Sequence, residues 1–196
     1  MGATSWEQII EKLSTDQEMQ ELFAANYDGE ISEHTITHAI AEFEKTLVTP
    51  NSPFDQYLAG NTSAISETAK EGFALFKEYK CDSCHTGEAL GGGSFEVMGL
   101  KADYFASRGG DITEADLGRY NVTGSEHDRH RFKVPTLRNV ELKAPFFHDG
   151  TAETLEDAVY KMAKYQVGVE LNESEVSSMT EFLKTLTGEY RGKPLS

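Results

Sequence analysis

Two cysteines and a histidine, crowded into one short run, constrain this chain more than any other feature of its sequence. The run is Cys81-Asp-Ser-Cys84-His85, and the chain has no further cysteine. A Cys-x-x-Cys-His run places two thiols on one turn, where they can add across the two vinyl groups of a haem, while the adjacent imidazole binds the iron. The sequence therefore predicts one covalent c-type haem, bonded to Cys81 and Cys84 and ligated by His85.

Three other interpretations of this run are a redox-active dithiol, half of a zinc site and chance. A structural zinc site needs a second pair of ligands, and two cysteines cannot build a disulfide framework. The segment from Glu88 to about Leu142 is rich in glycine, including Gly91-Gly92-Gly93, and predicts long loops of the kind that wrap a bound group. The immediate histidine and these loops favour haem.

The residue on the other side of the iron decides its chemistry. A methionine gives a closed, high-potential electron carrier, whereas an open position admits peroxide or oxygen. Met179 lies in the apolar stripe of the last predicted helix and is assigned to packing, but periodicity does not choose between Met98 and Met162. The remaining histidines are also candidates, although we expect surface or structural roles for them: His34, His38, His127, His130 and His148.

The chain is strongly acidic, with 33 Asp and Glu against 18 Lys and Arg and a net charge of -15. That charge repels phosphate backbones and anionic lipid, so nucleic acid and membranes are not expected as partners, and cationic proteins are favoured. One basic cluster, Arg129 to Lys133, is expected to be solvated, with a haem propionate as its alternative contact. Residues 1–13 carry Glu7, Glu11 and Lys12, which is not the composition of a secretory signal.

Helix-capping residues and apolar periodicity predict a mainly α-helical chain. Helices at 66–80 and 173–187 are expected to form its framing pair. Upstream, Ile36, Ile40, Phe43 and Leu47 recur at helical spacing and predict a buried stripe. A Pro- and Asn-containing connection over 50–66 predicts a domain boundary. The predicted N-terminal caps are Thr4 or Ser5, Asp16, Ser32, Ser66, Thr154 and Asn172.

Two longer segments carry a family resemblance: Phe132-Lys-Val-Pro-Thr-Leu-Arg-Asn-Val140 and Ala144-Pro-Phe-Phe-His-Asp-Gly150. They resemble the signature of bacterial di-haem cytochrome c peroxidases. Residues 43–55 and 183–188 are similar to that family as well, so the resemblance covers nearly the whole chain.

Members of that family have an N-terminal haem that reduces peroxide and a C-terminal, high-potential haem that takes up electrons. The resemblance implies that this chain holds the second: a cytochrome c fold over residues 56–188, a remnant of the N-terminal domain over 1–55 and a tail over 189–196. The peroxidatic haem, its bridging tryptophan and the catalytic glutamate precede these residues in the family, so Trp6 is not that tryptophan and no catalytic residue is expected here. The apolar stripe would then be partly exposed, and dimerisation is one way to cover it.

The resemblance also assigns site residues. It implies that Met162 is the second iron ligand, that His148 lies close to the haem and that Arg138 faces a propionate. The backbone carbonyl of Pro145 would help to bind an interdomain calcium ion, whose other ligands belong to the missing domain. Lys143 departs from the threonine that is usual at its position.

The function implied is electron transfer from a small donor cytochrome or copper protein to the peroxide-reducing haem of the missing N-terminal domain. Little peroxidase turnover is expected from this chain alone. The alternatives are a free-standing mono-haem carrier and an open haem without Met162 as ligand. Because covalent haem attachment requires the oxidising side of a bacterial membrane, the expected location is the periplasm.

Overall fold

The computed structural model describes residues 3–195, which form two compact units that meet in sequence between Val48 and Thr49. The boundary expected after residue 55 lies inside a helix of the second unit, Pro53–Leu58. The first two residues of the expected N-terminal remnant, and Ser196 of the expected tail, lie outside the described residues.

The first unit contains three helices, each beginning at a predicted cap. They are α1 (Trp6–Ser14), α2 (Gln17–Tyr27) and α3 (Glu33–Lys45). The side chains of Ser5, Asp16 and Ser32 accept hydrogen bonds from backbone amides of the first turns, which satisfies donors that a helix start leaves free. Few side chains of this unit are buried.

The apolar stripe of α3 is buried only at its beginning. Ile36 is 7% exposed, whereas Ile40, Phe43 and Leu47 are 51%, 58% and 50% exposed. The expectation of a continuous buried stripe is therefore wrong, and the partial exposure implied by the family resemblance is confirmed. The physical reason is that, within the described residues of the first unit, neither α1 nor α2 buries the later turns of this helix.

The second unit is mainly α-helical with long loops, as predicted. Its helices are α4 (Pro53–Leu58), α5 (Glu67–Glu78), α6 (Tyr104–Arg108), α7 (Tyr120–Thr123), α8 (Leu155–Met162) and α9 (Glu173–Lys184). Single 3₁₀ turns lie at Cys81–Ser83, Ala115–Leu117, Glu126–Asp128 and Val140–Leu142, and a π-helical turn covers Ala163–Val167.

Helices α5 and α9 form the predicted framing pair. They cross so closely at Gly72 that a Cβ atom there would lie 1.9 Å from the backbone oxygen of Ser178. Only a residue without a side chain fits this crossing. The main apolar core surrounds it and includes Phe76, Met179 and Phe182.

Two short antiparallel ladders occur in the second unit, and the first joins the loops between α5 and α8. Strand β1 (Phe95–Val97) pairs with β2 (Arg131–Lys133), with Glu96 opposite Phe132. At the C-terminal end, β3 (Glu189–Tyr190) and β4 (Lys193–Pro194) form a small hairpin. Across the described residues, no helix combines the length and the apolar character needed to cross a bilayer.

Candidate functional site

Helix α5 delivers the chain directly into the two cysteines. The helix ends at Glu78, and the left-handed backbone of Lys80 (φ 59°) turns the chain into the 3₁₀ turn Cys81–Ser83. The backbone amide of His85 donates to the carbonyl of Cys81 at 3.0 Å, which closes the turn. Cys81 and Cys84 lie on this turn, are half-buried and are not bonded to each other.

The thiol of Cys81 lies in surroundings that disfavour its charged form. Burial, with a contribution from the negative charge of Asp82, raises the pKa of Cys81 to about 11. Reactive Cys-x-x-Cys pairs instead lower the pKa of a cysteine so that it is a thiolate near neutral pH. The thiol of Cys81 is therefore protonated at neutral pH, unlike the low-pKa cysteine of such a pair.

The imidazole of His85 is oriented for metal binding. Its Nδ1 lies 3.1 Å from the carbonyl oxygen of Leu90, and since a carbonyl only accepts, Nδ1 carries the proton. The lone pair then belongs to Nε2, which is the usual arrangement of a metal-binding histidine. Burial lowers the pKa of His85, so the ring is neutral at pH 7 and can bind iron.

The carbonyl that orients His85 is itself fixed by a close approach of two loops. The backbone amide of Leu137 donates to the carbonyls of Ala89 and Leu90, each at 3.2 Å. Gly91 has φ 138°, and a Cβ atom there would lie 2.1 Å from the carbonyl oxygen of Pro135. These contacts hold the loop after the haem motif against residues 135–137. The direction of the His85 imidazole is therefore fixed as well.

The candidate methionines lie in two different clusters. Met179 belongs to the main core between α5 and α9, as assigned from its periodicity. Met162 is the last residue of α8 and packs, half-buried, against a second cluster made by Met98, Tyr104 and Phe105. The two methionines that the sequence left open thus share one apolar cluster.

A buried polar network lies beside this second cluster. The guanidinium of Arg108 makes two hydrogen bonds to Asp116, at 2.7 and 3.0 Å, and one to Asp149, at 3.0 Å. Asp116 is 1% exposed. The hydroxyl of Tyr104 donates to Asp149 at 2.8 Å, which ties the network to the apolar cluster.

Both carboxylates of the network are held in their charged form. Arg108 holds the pKa of Asp116 well below its usual range. Burial raises the pKa of Asp149, but hydrogen bonds from Tyr104 and Arg108 outweigh it and lower the value to about 2. Oxygen and nitrogen atoms of Asp116, His148 and Asp149 lie close enough together to hold a metal ion. The guanidinium of Arg108 already supplies a positive charge among them.

His148 belongs to the same network. Its Nε2 lies 2.8 Å from Asp116, and its ring stacks on Phe132 with centroids 4.2 Å apart. His130 is also structural: its Nδ1 donates to the carbonyl of Asp116, and its ring packs 4.4 Å from that of Phe105. The structure therefore places His148 next to the cluster that contains Met162. Its contact with a haem stays a prediction.

Arg138 has a carboxylate partner from the chain itself. Its Nη1 and Nη2 donate to Asp55 at 2.9 and 2.7 Å, and its Nε donates to the carbonyl of Glu88 at 2.7 Å. The pair lowers the pKa of Asp55. The expected contact of Arg138 with a propionate stays a prediction, as does a calcium ion at the carbonyl of Pro145.

The basic cluster at residues 129–133 does not act as one positive patch. Arg129 pairs with Glu126 at 2.7 Å, and Arg131 lies 3.5 Å from Glu96. Lys133 is exposed. The expectation of a solvated cluster holds for Lys133, whereas the arginines are paired with acidic side chains nearby.

Sequence reasoning missed the network of Arg108, Asp116 and Asp149. Arg108 ends the short helix α6, Asp116 lies in the 3₁₀ turn Ala115–Leu117, and Asp149 belongs to the Phe-His-Asp-Gly segment at 147–150. No local pattern in the sequence predicts that these three side chains meet. The donor set that the sequence did predict suits a c-type haem: two unbonded thiols on one turn, a neutral imidazole whose Nδ1 is held by a backbone carbonyl, and a thioether in an apolar cluster.

Comparison with known proteins agrees with this chemistry. The family model for di-haem cytochrome c peroxidase matches residues 1–63. Cytochrome c peroxidase Ccp of Escherichia coli is 50% identical over 97% of this chain, and the cytochrome c551 peroxidase of Nitrosomonas europaea is 49% identical over 82%. The chain spans 40% and 46% of these two relatives.

A solved structure gives the same answer for the fold. It is a MauG-like protein associated with microbial copper homeostasis, and it matches with a TM-score of 0.75 and 26% identity. The match covers 94% of this chain and 62% of that one. The free thiols, the oriented imidazole and these likenesses together show that the chain belongs to the family of bacterial di-haem cytochrome c peroxidases, which are haem proteins.

Proposed function

We propose that this chain is the electron-accepting, high-potential haem domain of a di-haem peroxidase, and that it holds one haem. The observation that carries the proposal is the state of His85. Its imidazole is neutral, it is fixed through Nδ1 by the carbonyl of Leu90, and it follows two free thiols on the same turn. Each of these properties is what covalent haem attachment with a histidine ligand requires.

Four residues of the chain would bind the haem. Cys81 and Cys84 would hold the haem by thioether bonds, and the imidazole of His85 and the thioether of Met162 would bind its iron. Met162 is favoured over Met98 by the family resemblance and by its half-buried position at the end of α8. A haem with histidine and methionine ligands exchanges single electrons and has no open position for peroxide.

The surroundings of Met162 support this assignment. The cluster it packs against is formed by the buried side chains of Met98, Tyr104 and Phe105, with the rings of Phe132, Phe147 and Tyr165 at its edge. Such a shell keeps water from the iron and raises the reduction potential. Tyr104 has its hydroxyl satisfied by Asp149 and Thr151, so it brings no free polar group into the cluster.

The partners that fit this role are a small donor cytochrome or copper protein and a peroxide-reducing haem domain. The net charge of -15 favours a donor with a basic surface. Covalent haem attachment favours the periplasm as the compartment. Peroxide reduction would then belong to the complete enzyme, and this chain alone would turn over peroxide at less than about 1 per second.

The test is the axial ligand of the ferric holo-protein. Met162→Ala is expected to change the spin state and to lower the reduction potential, because the thioether that favours ferrous iron is lost. Met98→Leu is the matched control, since it keeps an apolar side chain in the same cluster. If Met162→Ala left the visible spectrum and the potential unchanged, the proposed electron-transfer site would be wrong.

A further inference from the structure

Directly after Met162 the chain departs from regular α-helix. Residues Ala163–Val167 form a π-helical turn, which ends at Gly168 with φ 83°. π-turns contain one more residue than the α-helical turn they replace and are frequent at functional sites. The extra residue here directs the side chain of Gln166 and the carbonyl of Tyr165 onto a neighbouring loop.

That loop is the segment 97–102, which carries Met98. The Oε1 atom of Gln166 accepts hydrogen bonds from the backbone amides of Gly99 and Leu100, at 2.7 and 3.0 Å. Its Nε2 donates to the carbonyl of Val97 at 3.0 Å. The side chain of Gln166 is thus hydrogen-bonded to the backbone of three residues of this segment, through both the oxygen and the nitrogen of its amide.

Two further contacts strengthen the same junction. The carbonyl of Tyr165 accepts from the backbone amides of Lys101 and Ala102, at 2.9 and 3.3 Å. A Cβ atom at Gly168 would lie 3.2 Å from the Cβ of Lys101, so the two segments approach each other closely there. Gln166 therefore lies at the centre of a junction between the loop of Met98 and the turn that follows Met162.

We propose that Gln166 is a positioning residue for the Met162 ligand. By joining segment 97–102 to the π-turn, it holds the apolar cluster closed on the thioether, so that the sulfur competes successfully with an external ligand for the iron. This inference rests on the proposed function, because it takes Met162 to be the axial ligand.

The physical reason is that the hydrogen bonds of the Gln166 amide stabilise the junction, and removing the amide leaves their backbone partners unpaired. Without the amide of Gln166, two backbone donors and one backbone acceptor of segment 97–102 lose their partner, which removes interactions that stabilise the junction. Segment 97–102 then moves more freely relative to the π-turn. A looser cluster lets the thioether leave the iron more often.

The experiment measures how readily imidazole displaces the sulfur from the ferric holo-protein. Gln166→Leu is expected to bind imidazole about tenfold more tightly than the parent protein, since about 1.4 kcal/mol of ligand stability corresponds to that factor. Gln166→Glu keeps an acceptor for the amides of Gly99 and Leu100 but places a carboxylate oxygen, which cannot donate, opposite the carbonyl of Val97. Its imidazole affinity should fall between the other two. The methionine-to-iron charge-transfer band should weaken in the same order.

A control separates positioning from the general loss of an amide side chain. Gln56→Leu removes an amide that donates to the carbonyl of Asn51 and takes no part in the junction. This variant should leave the imidazole affinity unchanged. Equal affinity of Gln166→Leu and the parent would overturn the proposal, and if Gln166→Leu yields no holo-protein, an unchanged Gln166→Glu would do the same. The failure of the proposed function looks different, because Met162→Ala would then bind imidazole like the parent.

Discussion

The two sides of the candidate haem site are built in different ways. The attachment side, residues 79–91, is one continuous stretch in which a helix end, a 3₁₀ turn and a loop present two thiols and an imidazole. The methionine side, around Met162, joins segments that are far apart in sequence through hydrogen bonds between loops. The first side is specified by a local motif, and the second depends on long-range polar contacts.

Because the two sides are built differently, substitutions on them should change different properties of the protein. Changes on the attachment side act on whether the cofactor is held at all. Changes on the methionine side act on how stable the fold is and on how firmly the sulfur is held, because there the chain fixes its loops with buried charges. Experiments on each side should therefore give different readouts.

The largest effect is expected on the attachment side. Replacing both Cys81 and Cys84 with alanine should abolish covalent haem attachment, because no other thiol exists in the chain. Intact mass under denaturing conditions measures this directly. Ser83→Ala is the control on the same turn and should keep the full haem mass. Haem that still travelled with the denatured double variant would contradict the assignment.

On the methionine side, the largest loss of stability should come from the buried ion pair. Asp116→Asn removes the partner of Arg108 and of His148, and breaking a buried pair costs about 3 kcal/mol of unfolding free energy. Denaturant unfolding of the holo-protein, followed by circular dichroism, measures this cost. Glu126→Gln breaks the exposed pair with Arg129 and should leave the midpoint where it is. Equal midpoints for both variants would mean that the network contributes nothing.

The helix crossing that supports the attachment side gives a smaller effect. Gly72→Ala forces a methyl group against the backbone of Ser178, and overpacking of this kind costs about 2 kcal/mol. Gly93→Ala is the matched control, because nothing lies within 4 Å of a Cβ atom there. The two variants are compared by thermal or denaturant unfolding. A neutral Gly72→Ala would show that the crossing can open without cost.

The smallest effect is a dependence of stability on pH. The native pKa of Asp149 is about 2, below its ordinary value of 3.8, so its carboxylate stabilises the fold above about pH 4 and loses this contribution as the pH falls toward 2. Asp149→Asn should therefore show a flatter pH profile between about pH 5 and pH 2. If the parent protein and Asp149→Asn lost stability in parallel as the pH falls, the carboxylate of Asp149 would not be the cause of the pH dependence.

The sequence predicts the features that depend on a local motif and does not predict those that depend on long-range contacts. The caps at Ser32, Ser66 and Asn172 were readable, because a short polar side chain before a periodic segment acts within one turn. The haem motif was readable for the same local reason. The structure confirms the helices and places the motif where the sequence predicts it, at the end of α5.

The rest depends on contacts that no local pattern contains. Asp116 and Gln166 are ordinary polar residues in sequence, and their roles arise from partners in other segments, such as Arg108 and Gly99. The prediction that the stripe of α3 is buried was wrong although its local pattern is present. Its periodicity is real, but whether Phe43 is buried depends on what other part of a protein is available to cover it.

The π-turn after Met162 has a consequence for how this segment can vary by insertion and deletion. Deleting one residue from Ala163–Val167 would restore a regular α-helix, and every following side chain of the turn would rotate by about 100° around the axis. The side chain of Gln166 would then point away from the loop that it now bridges. Chain length in this segment is therefore under a stricter constraint than the chemistry of its exposed side chains, and a deletion should be far less tolerated than a substitution at Lys164.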